Sequence, residues 1–320
     1  MIRNLLLLCC TLGLVLPSIT VEAATHSTKH KVSGRKIITT LRSDHRYRLH
    51  NANYNRSVFK DDYDGSGELR LASSKALIVN QDTGETLYAK STDLPTPIAS
   101  VTKLMTAMVM LDAHLPMDEQ ITISEAEVDA LKGTGSRLRV GTDLTRSELL
   151  QLALMASENR AAAALGRNYP GGLPAFVTAM NAKATELGMT RSHFVDPTGL
   201  NSDNVSTAED LVKMVRAAYQ YPEIRQVTTT PNYQVPVHGL RNPVQFLNTN
   251  VLVRNSDWVI GLSKTGFISE AGRCLVMQAE IAGQPLIIVL LDSYGKYSRI
   301  GDAQRIRKWI ESSNLLRHMG

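Results

Sequence analysis

Cysteine is nearly absent from this 320-residue chain, which has only Cys9, Cys10 and Cys274. The first two lie inside an N-terminal apolar run. Cys274 is then alone downstream, which excludes an internal disulfide there. A lone thiol in "GRCLVM" reads as a small core residue rather than a nucleophile. No H-E-x-x-H occurs and the histidines are scattered. His26 and His30 have no acidic or cysteine neighbours, so neither a metal centre nor a cofactor is expected. No run of 18 or more apolar residues follows the first twenty positions, so no internal membrane span is expected. Acidic residues are almost missing between Thr25 and Lys60, where only Asp44 opposes Lys29, Lys31, Arg35, Lys36, Arg42, Arg46, Arg48, Arg56 and Lys60.

That imbalance places the net charge of +5 in one stretch and leaves the remainder close to neutral. Residues 24–66 show little helical or strand periodicity and read as a disordered basic tail. Tyr47, Tyr54 and Phe59 interleave the charges, a pattern seen in single-strand nucleic-acid binders. In a secreted protein an anionic envelope surface is the better partner, and nucleic acid is not expected. Secretion is read from residues 1–23. Arg3 precedes the apolar stretch Leu5 to Leu16, and Val21-Glu22-Ala23 offers small residues for cleavage after Ala23. That reading implies a secreted protein.

From Leu69 the pattern becomes globular, and residues 67–315 read as one domain. "LASSKALIVN" and "ETLYAK" are strand-like and joined by Asp82, Thr83 and Gly84, as in a hairpin. "PIASVTKLMTAMVMLDAH" is apolar and helical. "TRSELLQLALMA" opens with a capping box, Thr145 to Glu148. Further helices are expected through "NRAAAALGR", "LPAFVTAMNAKATELG" (stopped at Gly188) and "VSTAEDLVKMVRAAY" (capped by Ser206 with Glu209). "DWVIGLSKTG", "CLVMQAEIAG" and "PLIIVLLDS" read as strands, with a turn at Ala282-Gly283-Gln284. "GDAQRIRKWIESS" is a final amphipathic helix. Strands from both ends of a chain meet in one sheet, here antiparallel, with a helical insertion beside it. The expected class is α+β, with a cleft at the seam between the two parts.

Three short motifs fall on that seam. Ser100-Val101-Thr102-Lys103 starts an apolar helix, so serine and lysine share one face. A serine needs a base, and a lysine can be one only if its surroundings lower its pKa. Ser33 to Lys36 and Ser57 to Lys60 match the same letters but lie in the tail, without an apolar helix. Ser157-Glu158-Asn159 falls at a corner between two helices. Ser202-Asp203-Asn204 also fits S-x-N, but in a polar loop where turn and capping chemistry explains it. Lys264-Thr265-Gly266 ends a late strand. There the lysine and threonine would bind a substrate carboxylate, and the glycine would leave room for a substrate backbone. Each motif alone is weak. Together, in this order and setting, they are a strong signal for serine acyl transfer.

The set resembles the serine penicillin-recognising enzymes. Longer stretches, "TPIASVTKLMTAMVMLDA", "LALMASENRAAAALG", "FVDPTGL", "NVSTAEDL", "LSKTGF" and "DSYGKYS", resemble the D-alanyl-D-alanine endopeptidase branch of the low-molecular-mass penicillin-binding proteins. The resemblance covers roughly residues 69–315 and implies a β-lactamase/D,D-peptidase-like fold. It implies cleavage of D-alanyl cross-links in peptidoglycan, with β-lactams as covalent inhibitors. It further implies Ser100 as nucleophile, Lys103 as base, Ser157 as proton relay and Asn159 as the holder of Lys103 and of the substrate amide. The backbone N–H groups of Ser100 and Phe267 would form the oxyanion hole. Lys264, Thr265 and Arg299, just before the last helix, would bind the carboxylate. A D,D-carboxypeptidase is the competing reading. It is disfavoured because many such enzymes carry a β-rich C-terminal domain and an amphipathic anchor, whereas this chain stops after one helix. A class A β-lactamase would need an added glutamate, and no E-x-x-L-N lies between the second and third motifs. A non-catalytic wall-binding protein would have no use for Lys103.

Overall fold

The computed structural model describes residues 69–319. The leader and basic tail read from the sequence lie outside the described residues. Five strands form the main sheet: β1 (Ser73–Asn80), β2 (Thr86–Lys90), β3 (Val259–Ile268), β4 (Gly272–Ile281) and β5 (Gln284–Ser293). Their order is β2-β1-β5-β4-β3, and every neighbouring pair is antiparallel. The two ends of the domain meet where Ile78 pairs with Ile288. Between β2 and β3 come α1 (Lys103–Asp112), α2 (Arg146–Met155), α3 (Asn159–Arg167), α4 (Gly172–Glu186), α5 (Ala208–Ala218) and α6 (Pro222–Thr229); α7 (Ser298–Met319) follows β5.

The sequence of β5 explains the layering. A strand turns alternate side chains to opposite faces, so an unbroken apolar run implies cover on both. Ile287, Val289 and Leu291 join the core shared with the helical insertion. Leu286, Ile288 and Leu290 join a second core with Ala303, Ile306 and Ile310 of α7. In β4, Cys274 and Val276 take the first side and Leu275 and Met277 the second. The Cys274 thiol is fully buried, and burial pushes its pKa up to about 11. It is therefore a packing residue with little thiolate character.

Helix α1 has no polar face. Every residue from Lys103 to Met110 is buried, and the helix packs against α2, α3, α4 and α5. A helix that is apolar all round belongs at the centre of its layer. The local signals hold in part. Thr145 and Glu148 form the expected capping box, worth about 1 kcal/mol. Ala282 and Gly283 both take left-handed backbone (φ 50° and 74°), as a two-residue hairpin turn requires. The cap of α5 differs from expectation: it is Thr207, whose hydroxyl accepts the Asp210 N–H at 3.1 Å. Ser206 is instead drawn into extended pairing with Thr96. Among the described residues no helix is long and apolar enough to cross a membrane.

Candidate active site

Ser100 sits in a 3₁₀ turn, Ala99–Thr102, directly before α1. Ala99 takes φ 48°, a left-handed conformation that costs a non-glycine residue free energy and must be held by its surroundings. Two glycines do the holding. A Cβ on Gly199 would lie 1.9 Å from the Ala99 carbonyl oxygen, and one on Gly266 would lie 2.9 Å from that of Ile98 and 3.1 Å from Ser100 N. Gly266 has a role the sequence reading did not include. Its missing side chain makes room for the serine's own turn. The edge strand β3 thereby comes up against Ser100.

Lys103 begins α1 and inherits that helix's burial. Its side chain is fully enclosed, and burial lowers its pKa from 10.5 to about 7 against the opposing pull of Asp196 and Glu158. The Lys103 Nζ lies 2.8 Å from Ser100 Oγ, 2.8 Å from Asn159 Oδ1 and 2.6 Å from the Thr198 carbonyl. A neutral amine has two hydrogens and one lone pair. The two carbonyl oxygens can only accept, so they take the hydrogens and the lone pair faces the serine hydroxyl. That arrangement is what a general base at Ser100 requires.

The second corner comes from the break between α2 and α3. Ser157 turns the chain with φ 59°, and the Glu158 N–H returns to the Leu152 carbonyl at 3.1 Å. This presents Ser157 and Asn159 to the cleft. Lys264, on β3, donates to Ser157 Oγ at 2.8 Å and to the Thr265 carbonyl at 2.9 Å. Burial lowers its pKa well below the ordinary lysine value, and the positive Lys103 and Arg299 add to the effect.

Ser100, Ser157, Asn159, Thr265, Gly266, Phe267 and Arg299 line one cleft of about 380 Å³, together with Thr134, Leu200 and Thr249. The two lysines stand behind its wall and reach it through serines, Lys103 through Ser100 and Lys264 through Ser157. The Lys264 amine is buried and is held within the protein by Ser157 Oγ and the Thr265 carbonyl. Arg299 departs in position, lying in the first turn of α7 rather than before it. Its Nε and Nη1 are buried without a protein hydrogen-bond partner, and burial lowers its pKa to about 10, with Arg273 adding to the effect.

Ser202 does not line this cleft. Its neighbour Asn204, however, is more than a turn residue. Fully buried, it accepts the Val195 N–H at 2.6 Å and donates to the Asp196 carbonyl at 3.0 Å and to Thr102 Oγ1 at 3.3 Å. Sequence reasoning missed Thr134, Asp196, Thr198, Gly199 and Thr249. The run Asp196-Pro197-Thr198-Gly199 carried a turn signal, but nothing in the letters aims the Thr198 carbonyl at a lysine.

The family model described as D-alanyl-D-alanine carboxypeptidase matches residues 63–295. The chain is 51% identical over 245 residues to the D-alanyl-D-alanine endopeptidase of Pseudomonas aeruginosa, covering 77% of this chain and 79% of that protein. It is 47% identical over 246 residues to the protein of the same name from Escherichia coli, with the same coverage. Among solved structures, the Streptomyces K15 DD-transpeptidase is similar with a TM-score of 0.69 at 32% identity, covering 75% of this chain and 97% of that one.

Proposed function

The chain belongs to the D-alanyl-D-alanine carboxypeptidase family, and from that premise we propose that it is a periplasmic serine D,D-endopeptidase that hydrolyses D-alanyl cross-links of peptidoglycan. As a member of that family it is a serine-type hydrolase. The observation that carries the assignment is the buried Lys103 amine 2.8 Å from Ser100 Oγ, with two acceptors, Asn159 Oδ1 and the Thr198 carbonyl, at 2.8 and 2.6 Å.

Lys103 Nζ takes the Ser100 proton as Oγ bonds to the D-alanyl carbonyl carbon. The backbone N–H groups of Ser100 and Phe267, on adjoining segments, receive the developing oxyanion. As the C–N bond breaks, the proton returns through the Ser157 hydroxyl to the leaving amine. Asn159 holds Lys103 and the substrate amide. The leaving residue carries a carboxylate beside the scissile bond. Thr265 and the unpartnered Arg299 guanidinium receive it, while Lys264 acts through Ser157. Water then opens the acyl-enzyme. A β-lactam acylates Ser100 by the same route, but its leaving group stays tethered and hydrolysis is slow. A more apolar groove of about 530 Å³ adjoins the cleft and shares Asn159 with it, which suits a substrate that continues past the cut. The leader accounts for export, and the basic tail for peripheral contact with the envelope.

The description of the matching family favours a second reading, carboxypeptidase. Chromatography of muropeptides after digestion separates the two. Loss of cross-linked dimers is the expected result. Shortened pentapeptide monomers with the dimers intact would establish the carboxypeptidase instead.

A further inference from the structure

We infer that Thr134, held by Asp129, is a positioning residue for acylation: it fixes the Asn159 amide so that Oδ1 faces the Lys103 amine. The inference rests on the reading of Lys103 as the base. Neither residue belongs to the three motifs. Both lie on the loop between the short turn Glu125–Glu127 and α2. Asp129 Oδ1 accepts the N–H groups of Leu131 and Lys132 at 2.8 and 3.0 Å. Its Oδ2 accepts the Thr134 N–H at 2.8 Å and the Thr134 hydroxyl at 2.6 Å. Burial pushes this carboxyl up, but the accepted hydrogen bonds, that of the Thr134 hydroxyl first, bring it below its ordinary value. An ionised carboxylate accepts only, so the single hydroxyl hydrogen of Thr134 is committed to Asp129.

Toward Asn159, Thr134 Oγ1 is then an acceptor alone. Asn159 Nδ2 donates to it at 3.1 Å, which leaves Oδ1 for Lys103 Nζ at 2.8 Å. The flipped amide would set Oδ1 against an oxygen with no hydrogen to give. Its NH₂ would then repel the lysine ammonium or compete with Ser100 for the amine lone pair. The loop has anchors that do not depend on the Thr134 hydroxyl. Lys132 is ion-paired with Glu270, beside the β3–β4 turn. Ser136 Oγ donates to Glu158 Oε2 at 2.7 Å and accepts the Leu138 N–H at 3.0 Å. Thr134→Val therefore removes one hydroxyl and leaves the loop tied down.

The test is the rate of covalent labelling of the purified protein by a fluorescent penicillin as a function of pH. A well-placed Oδ1 stabilises the lysine ammonium, so losing it lowers the Lys103 pKa. The reactive form is the neutral amine, so in Thr134→Val the acid limb moves to lower pH. The plateau is expected to fall about tenfold, the scale of one well-made hydrogen bond. Thr134→Ser restores both limb and plateau. Asp129→Asn weakens the same constraint from its other end and shifts the limb the same way by less. An unshifted limb in Thr134→Val, with or without a slower rate or a lower melting temperature, overturns the inference. An unshifted limb in Asp129→Asn does so too, should Thr134→Val not fold, and so does failure of Thr134→Ser to restore the profile. Lys103→Ala is measured alongside. If it labels normally, the base reading falls and this inference with it. If it is inert while Thr134→Val behaves as wild type, only this inference falls.

Discussion

The chain spells Ser-acid-Asn twice, and the two copies lead different lives. Ser157-Glu158-Asn159 occupies a strained corner between α2 and α3, with its serine on Lys264 and its asparagine on Lys103. Ser202-Asp203-Asn204 lies in a loop ahead of α5, with its serine away from the cleft and its asparagine buried. Yet the second asparagine bears on the same lysine from behind. Asn204 braces the turn at Asp196, whose carboxylate in turn accepts the N–H groups of Thr198 and Gly199 at 2.5 and 2.8 Å. The carbonyl of Thr198 is a partner of Lys103. One asparagine acts by its side chain at the cleft, the other by shaping backbone. Identical letters therefore do unlike work, and only the partners distinguish them.

Breaking the first copy has the largest expected effect. In Ser157→Ala the relay hydroxyl is gone, and cross-link cleavage should fall roughly a hundredfold or more. The fold should survive with a modest loss of stability, about 1–2 kcal/mol, because the buried Lys264 amine loses one of its two protein partners. Activity within a few-fold of wild type would remove Ser157 from the mechanism. Breaking the second copy at Asn204→Ala should act on stability first. It leaves partly buried backbone groups of Val195 and Asp196 without partners, at a cost of about 1–2 kcal/mol in a urea titration. A fully stable Asn204→Ala would contradict the bracing role. Ser202→Ala sharpens the contrast by doing little. Its stability should stay within about 0.5 kcal/mol and its cleavage rate should be unchanged. A folded but inactive Ser202→Ala would reverse the roles of the two copies.

Much of the fold was legible because it rests on periodicity. The apolar runs of β4 and β5 announce strands covered on both faces, and the largely apolar α1 announces a central helix. Features set by competition between neighbours were less legible. Ser206 and Thr207 are both good caps, and a two-residue pairing with Thr96 decided for Thr207. In the cleft, side chains with distinctive chemistry could be read. Backbone partners could not, since a carbonyl such as that of Thr198 has no letter of its own. Nor could the role of Gly266, because the atoms that fill its missing side chain lie far away in sequence, in the turn at Ala99. Lys264 shows the same limit: its type suggested a carboxylate ligand, but no letter announced its hydrogen bond to Ser157.

The central claim is that a buried Lys103, whose pKa burial brings down to about 7, activates Ser100 in its neutral form. The most direct measurement is the rate of penicillin labelling of the wild-type protein from about pH 5 to about pH 9, with the labelled peptide identified by mass spectrometry. The account predicts a rate that falls on the acid side through a single ionisation near pH 7, with the label on Ser100. A flat profile across that range, or a label on any other residue, would contradict it.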